Sequence, residues 1–412
     1  MLAFKLAWQS LLRHKGRTAL TVLGVIIGIG AVIMVMSAGE SIKGLVLGEI
    51  ESFGANIIQV EIKVPTTSKN SAGNAIGMAQ GIEITTLTLD DADVIAQLLN
   101  VKNYYAGLMG QNVVSYLEKN KSAYFYAASP SFIDIDKAEV NQGRFYTIAE
   151  DNELARVAVL GDKIANDLFG DQPPIGQSVK IGKLKFRVVG VLGERGGGFG
   201  LSFDDMVFLP LQTTQKLLLG VDHVSWVTTQ VADVEQQDQT ADDITQLLRR
   251  QHDISDPKDD DFAVTTMAEA RDIINTVFSG ITLLLIAIAA VSLIVGGVGI
   301  MNIMYVSVTE RTFEIGLRKS VGARPKQILW QFLWEAIMIT LAGGAIGIIL
   351  GVALAIVVSF AAKQFGFDWP FALPPQAVLI AFLFCGAVGL AFGYYPARRA
   401  AKLDPIAALR QE

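Results

Sequence analysis

Residues that perform covalent or metal chemistry are few in this sequence and wrongly spaced for it. The three histidines are His14, His223 and His252, and the one cysteine is Cys385. That set cannot supply a Cys/His zinc spacing. No Gly-x-Ser-x-Gly elbow presents a serine nucleophile. The only Gly-Lys pair, Gly182-Lys183, does not belong to a Walker A loop. The glycine-rich stretch 193–200 is not followed by a helix opening on Lys-Ser/Thr, so it reads as a flexible tip. Asp259, Asp260 and Asp261 lack EF-hand spacing and read as a solvated loop. Catalysis is therefore not expected on this chain.

The constellations that remain suit docking. Thr309–Ala323 (TERTFEIGLRKSVGA) has a helical amphipathic pattern closed by Gly322. In it Ile315, Leu317 and Val321 are placed to pack, while Arg311, Glu314, Arg318 and Lys319 project charge. A soluble partner is the functional reading, and lipid headgroups are the alternative. The C-terminal GYYPARRAAKLDPIAALR is similar: Pro396 is expected to end a helix, and Pro405 starts another behind Asp404, a candidate N-cap. Glu335 stands near Trp330 and Trp334, about two turns into an apolar helix. An intramembrane carboxylate is a functional candidate; pairing with a basic loop residue, or reaching the inner interface, competes with that reading.

The elements that must position these groups are dictated by hydropathy. Of 412 residues, 51% are hydrophobic and 18% charged, against about 25% charge in soluble domains. The mean hydropathy is +0.41. Disordered, collagen-like, disulfide-scaffold and free nucleic-acid-binding classes are excluded. The apolar residues concentrate in runs at Leu20–Ala38, Val277–Val308, Ala336–Ala362 and Gln376–Ala397. Each exceeds the ~18 residues that mark a membrane span. The first is longer than a signal-peptide core and reads as a retained span. Small residues recur four apart, at Gly24 and Gly28, at Gly343, Gly347 and Gly351, and at Gly389 and Gly393. That spacing lets helix backbones approach closely in lipid. No ladder of polar groups crosses the spans, which argues against an ion channel or a proton-coupled carrier.

Charge fixes the expected orientation. Lys5, Arg13, Lys15 and Arg17 precede span one; Arg311, Arg318, Lys319, Arg324 and Lys326 lie between spans two and three; Arg398, Arg399, Lys402 and Arg410 follow span four. Lys and Arg favour the cytoplasmic side. A multi-pass cytoplasmic (inner) membrane protein with both termini cytoplasmic is expected. Residues 40–272 carry a net −14 and the remainder +8, which together give the −6 of the chain.

Residues 2–15 read as an amphipathic helix on the inner leaflet, with Trp8 suited to the interface. A helix over Ala268–Val308 would be ~61 Å long, so part of it should stand outside the membrane as a stalk. The segment between spans one and two reads as mixed α/β in two lobes. Strands are expected over Asn56–Val64, Ser122–Ala128, Ala155–Leu160, Met206–Leu209 and Val224–Val231. Ser178–Leu192 reads as a hairpin turning at Gly182-Lys183, and Gly73–Gly81 as a loop. Helices are expected over Asp90–Asn100, Asp162–Phe169, from Gln212 to Leu218, and over Glu235–His252. Cys385 reads as a small packing residue.

These stretches resemble the FtsX-like permeases of ABC transporters, specifically the MacB family. The family pattern T-E-R-x-x-E-I-G-x-R-K-x-x-G-A is matched by Thr309, Glu310, Arg311, Glu314, Ile315, Gly316, Arg318, Lys319, Gly322 and Ala323. Its C-terminal pattern is matched by Pro396, Ala397, Ala400, Pro405, Ala408, Leu409 and Arg410. The start is matched by Arg13, Lys15, Arg17, Thr18, Leu20, Thr21, Leu23, Gly24, Ile27 and Gly28. Between them lie Gly143, Arg144 and Phe145, Val157 to Gly161, Leu168 to Gly170, Pro174-x-Gly176-Gln177 and Gly190 to Leu192.

The resemblance implies four transmembrane helices and a large extracytoplasmic α/β domain with porter-like and Sabre-like lobes. The expected division is a cytoplasmic N-terminal helix at 1–19, then span one with its stalk at 20–53. The extracytoplasmic domain follows at 54–267, with an inserted lobe near 138–217, then stalk and span two at 268–308. A coupling helix at 309–327 precedes span three at 328–362, span four at 376–397 and a cytoplasmic tail at 398–412. The resemblance also implies a homodimer, a separate ABC ATP-binding subunit carrying ATP and Mg, and an adaptor or membrane fusion protein; no cofactor sits on this chain. Glu310, Arg311, Glu314, Ile315, Gly316, Arg318, Lys319 and Gly322 would dock the ATPase, whose closure would move span two and the external lobes. Efflux of an amphiphilic drug or peptide is the leading expectation. Activation of a cell-wall hydrolase and lipoprotein extraction are the alternatives, and no nucleic-acid partner is expected.

Overall fold

The computed structural model describes residues 15–52, 54, 56–65, 84–195, 202–364 and 369–409. The expected helix at 2–15 (apart from Lys15), the Gly73–Gly81 loop, the glycine-rich tip beyond Arg195, and Arg410 lie outside the described residues. The chain forms two compact units, Val46–Ile274 and the combination of Met1–Leu45 with Asn275–Glu412.

In the Val46–Ile274 unit the strands are β1 (Ile57–Ile62), β2 (Val101–Tyr116), β3 (Lys119–Ala128), β4 (Val140–Gly143), β5 (Val157–Leu160), β6 (Ser178–Ile181), β7 (Leu184–Leu192), β8 (Met206–Pro210), β9 (Trp226–Val231) and β10 (Phe262–Thr266). Among the described residues they form one mixed sheet, ordered β10-β1-β9-β2-β3-β8-β5-β7-β4, with β6 joined to β2 and β7. The strands contributed by residues 140–210 gather at one end, and the long β2–β3 hairpin links them to β9, β1 and β10. Gly182 turns the expected β6–β7 hairpin at φ +56°.

Strand β2 carries no clear alternation in sequence, and its glycines explain why. Gly107 pairs with Trp226, and Gly110 with Phe125. A Cβ on Gly107 would lie 2.6 Å from the Trp226 ring, and one on Gly110 would lie 2.4 Å from the Phe125 ring. Both positions must stay bare so that a cross-strand aromatic can lie over the backbone. The Trp226 ring joins an aromatic cluster with Tyr105, Tyr126, Phe132, Phe145 and Phe208, while Phe125 packs in the core on the other face of the sheet.

The acidic run is not a solvated loop throughout. Asp260 is buried and accepts from Arg249 Nε at 2.8 Å and Nη2 at 2.7 Å. His252 Nδ1 lies 2.9 Å from Asp261 Oδ1. The cause is β10, which sequence periodicity missed: it starts at Phe262 and draws the preceding residues onto the sheet edge.

The principal helices are α1 (Lys15–Ser52), α2 (Leu89–Ile95), α3 (Asp162–Phe169), α4 (Gln237–Gln251), α5 (Met267–Glu310), α6 (Thr312–Ser320), α7 (Pro325–Gln364), α8 (Pro375–Lys402) and α9 (Pro405–Leu409). Among the described residues, α1, α5, α7 and α8 are long and apolar enough to cross a membrane. The 44 residues of α5 span ~66 Å at 1.5 Å per residue, about twice the ~30 Å hydrocarbon core. Pro396 does not end α8, which continues to Lys402. Pro396 is buried beside Ala397 and Ala400, and such packing supports a helix across the missing N–H donor.

In the short helix Ile148–Asn152, Asp151 Oδ1 accepts from the Gln212 backbone N–H at 2.8 Å. Burial raises its carboxyl from 3.8 to about 6, against an opposing pull from that hydrogen bond. The folded protein then binds this proton more tightly than the unfolded chain does. Its contribution to stability is present below pH 3.8 and is lost as pH rises through about 6. Thermal unfolding monitored by near-UV circular dichroism between pH 4 and 7 should show this decline, of order 2 kcal/mol. Asp151→Asn, which keeps an acceptor for Gln212, should flatten it.

Candidate functional site

The expected packing glycines meet backbone and side chains of neighbouring helices at close range. A Cβ on Gly347 would lie 2.8 Å from the Ile26 carbonyl oxygen, and one on Gly351 would lie 2.8 Å from that of Gly30. Gly343 faces Val22 and Val25. This stripe therefore seats α7 directly on α1. On another side of α1, Gly24 meets Gly296 of α5 with 3.1 Å between an added Cβ and the Gly296 Cα, and Gly28 meets Leu293. Gly389 packs on Ile337 and Thr340, and Gly393 on Ala336, which joins α8 to α7. Sequence spacing missed Gly297, which lies under the Phe392 ring, and Gly344, which lies under Cys385 Sγ. Neither has a glycine four residues away in the direction of its contact, so no periodic signal marks them. Cys385 is buried at that contact.

Between α5 and α7, α6 runs from Thr312 to Ser320 with Arg311 at its N-cap. Gly322 takes φ +103° just past its end, the left-handed geometry that lets a chain leave a helix. Ile315 and Gly316 are buried. A Cβ on Gly316 would lie 2.7 Å from Ala408 Cβ and 3.4 Å from the Pro405 carbonyl oxygen. The two motif-bearing stretches thus pack on each other, α6 on α9. Asp404 Oδ1 accepts from Ile406 N at 2.8 Å and caps α9.

The expected docking charges are largely engaged inside the protein. Lys319 Nζ donates to the Ala401 and Leu403 carbonyls at 2.9 and 2.5 Å, where a cation complements the C-terminal end of α8. Arg318 donates to Gln331 Oε1 at 2.7 Å and to Glu314 Oε1 at 2.5 Å. Arg311 Nη1 reaches Glu335 Oε2 at 3.2 Å, so the buried carboxylate is paired with a residue of the basic loop. Glu310 is exposed.

Leu317 and Val321 do not pack inward as the amphipathic pattern suggested. Phe313, Leu317 and Val321 are 56%, 49% and 82% exposed. They stand four residues apart on one face of the segment, with Ile406 of α9 also exposed. The face is misread from sequence because the buried side is set by α9, a contact 90 residues on. The i, i+4, i+8 spacing of these three residues was the available signal.

A model of the MacB-like periplasmic core domain matches residues 18–247, and a model of the FtsX-like permease C-terminal region matches residues 286–405. A protein of Bdellovibrio bacteriovorus named as a macrolide export ATP-binding/permease protein MacB is 35% identical over 407 residues, 98% of this chain and 61% of that protein. One of the same name from an Azoarcus species is 36% identical over 418 residues, 100% of this chain and 59% of that protein. The chain thus spans about three fifths of the length of these curated relatives. The crystal structure of the periplasmic region of MacB from Actinobacillus actinomycetemcomitans covers 55% of this chain and 95% of its own, with a TM-score of 0.47 and 18% identity.

The glycine contacts predict a graded response to a single methyl group. Gly347→Ala and Gly351→Ala must push backbone away from backbone and should each cost about 1–3 kcal/mol. Gly386→Ala, with nothing within 4 Å of the added Cβ, should be neutral. Thermal stability of the detergent-solubilised protein, read by gel filtration after heating, checks the order.

Proposed function

This chain belongs to the MacB-like family of FtsX-type permeases, and on that premise we propose that it is the membrane permease subunit of an ABC exporter. ATP would be bound and hydrolysed, with Mg, on a separate ATP-binding subunit. The observation that carries this reading is the exposed apolar face formed by Phe313 and Leu317 of α6 with Val321 just past its end, on a helix whose other sides are tied to α7, α8 and α9. A soluble protein surface with a complementary groove suits such a face, since fully desolvated apolar anchors dominate binding energy.

The docking surface in this proposal is broader than the expected charges. Glu310 and Glu314 flank the apolar face, while Arg311, Arg318 and Lys319 hold α6 in place beneath it. Closure of the ATP-binding subunits would displace α6, and the continuous α5 would carry that displacement to the external unit. The relatives' naming for macrolide export supports an amphiphilic drug or peptide as substrate. A homodimer, an adaptor protein and an orientation with both termini and α6 on the cytoplasmic side complete the proposal. The basic loops support that orientation.

Phe313→Asp and Leu317→Asp should each weaken co-purification with the ATP-binding subunit about tenfold or more, as for removal of an interface anchor. Ile148→Asp, at an exposed residue of the other unit, should leave it unchanged. Retention of full binding by the Phe313 and Leu317 variants would exclude this face as the docking surface.

A further inference from the structure

Arg311 stands where two helices part. Helix α5 ends at Glu310, α6 begins at Thr312, and Arg311 between them has φ −103° and ψ 18°. A residue outside helical geometry at such a point is a natural pivot: α6 could swing about it without disturbing α7. The side chain of this same residue opposes that swing. Its Nη1 lies 3.2 Å from Oε2 and 3.4 Å from Oε1 of Glu335 on α7. The Glu335 side chain is 7% exposed, and Phe332, Leu333, Ala336 and Ile339 around it on α7 are buried. The pair is thus largely shielded from water, and attraction between charges so shielded is screened little, so α6 cannot leave Glu335 at low cost.

A second tie lies one turn earlier on the same face of α7, where Gln331 accepts from Arg318 at 2.7 Å. Arg311 and Arg318 are at opposite ends of α6. A helix held to one neighbour at both ends is held in angle as well as in position. Lys319 adds a third tie, to the last carbonyls of α8.

We propose that the Arg311–Glu335 pair is a strut that makes α6 and the inner end of α7 move as one body. Displacement of α6 then enters the bundle through α7 as well as through α5. Arg311 and Glu335 are positioning residues here, and neither is required to touch the ATP-binding subunit. The inference rests on the coupling reading above.

The test uses the full chain with its ATP-binding subunit and two reporters in a Cys385→Ala background. Ser279→Cys reports on α5 and Lys363→Cys on the far end of α7, both at exposed positions. Maleimide labelling rates are compared with and without ATP. Both reporters should respond to ATP in the parental protein. With Glu335→Gln or Arg311→Gln, the response at position 363 should fall about tenfold while that at 279 stays within about twofold, and the ATP-binding subunit should still co-purify, because coupling between contacting residues is separable from distant sites. The charge swap Arg311→Glu with Glu335→Arg should restore the response at 363. It also serves if a single variant fails to fold. An unchanged response at 363 in the Gln variants, equal loss at both reporters, no rescue by the swap, or no response at 363 in the parental protein would each overturn the strut. Loss of co-purification in the parental protein would instead sink the coupling reading itself.

Discussion

Helix α7 touches α1 backbone to backbone, and the arrangement of the membrane unit follows from that contact. Helices in lipid gain no hydrophobic energy by leaving the hydrocarbon, so close packing must hold them together. Gly347 and Gly351 set α7 against the carbonyl oxygens of Ile26 and Gly30. With Gly24 against Gly296, α1 is gripped on a second side by α5. An adjoining side of α7 meets α8, through Gly344, Gly389 and Gly393. Once α7 and α8 are fixed together, their ends beside α6 present Gln331, Glu335 and the last α8 carbonyls as a set of acceptors. Arg318, Arg311 and Lys319 fill that set. The polar contacts of α6 thus follow from glycines as far as 20 residues from Gln331 along α7.

The parts of the fold legible in sequence were those encoded by length or by a clean period. The long apolar helices, α3 and the β6–β7 hairpin lie where apolar runs, capping residues and Gly182 place them. Strand β2 was hidden because Gly107 and Gly110 erase its alternation, and they do so for a reason visible only with Trp226 and Phe125 opposite them. Strand β10 was hidden because its five residues follow an acidic run whose members pair with Arg249 and His252 from α4 and its C-cap. Pro396 was read locally as a stop, yet packing carries the helix through it. Around α6 the residues of interest were legible by type but not by direction. Arg311, Arg318 and Lys319 looked like outward charge and turned inward to acceptors on α7 and α8. Leu317 and Val321 looked like core and turned out, because α9 occupies the Ile315–Gly316 side.

The polar side chains within the membrane helices bear on what kind of machine this is. The Ser41 and Thr340 hydroxyls donate to carbonyls of their own helices, at Ser37 and Ile337. Ser37 and Ser359 donate to the Ala372 and Trp369 carbonyls just before α8. Each is satisfied by a backbone acceptor, and none of these four hydroxyls faces another across the bundle to begin a relay. A solute crossing the bundle would need polar groups available to replace its water. What the bundle offers instead is resistance to shear: glycine-seated helices with backbones in contact deform little, since close-packed interiors transmit strain. The charged contacts of α6 are gathered at one end of that stiff body, where a push can enter. A stiff bundle pushed at one end, on the proposed reading, suits the transfer of displacement better than the transfer of solute. On the proposed reading, the substrate then has no need to pass between these four helices.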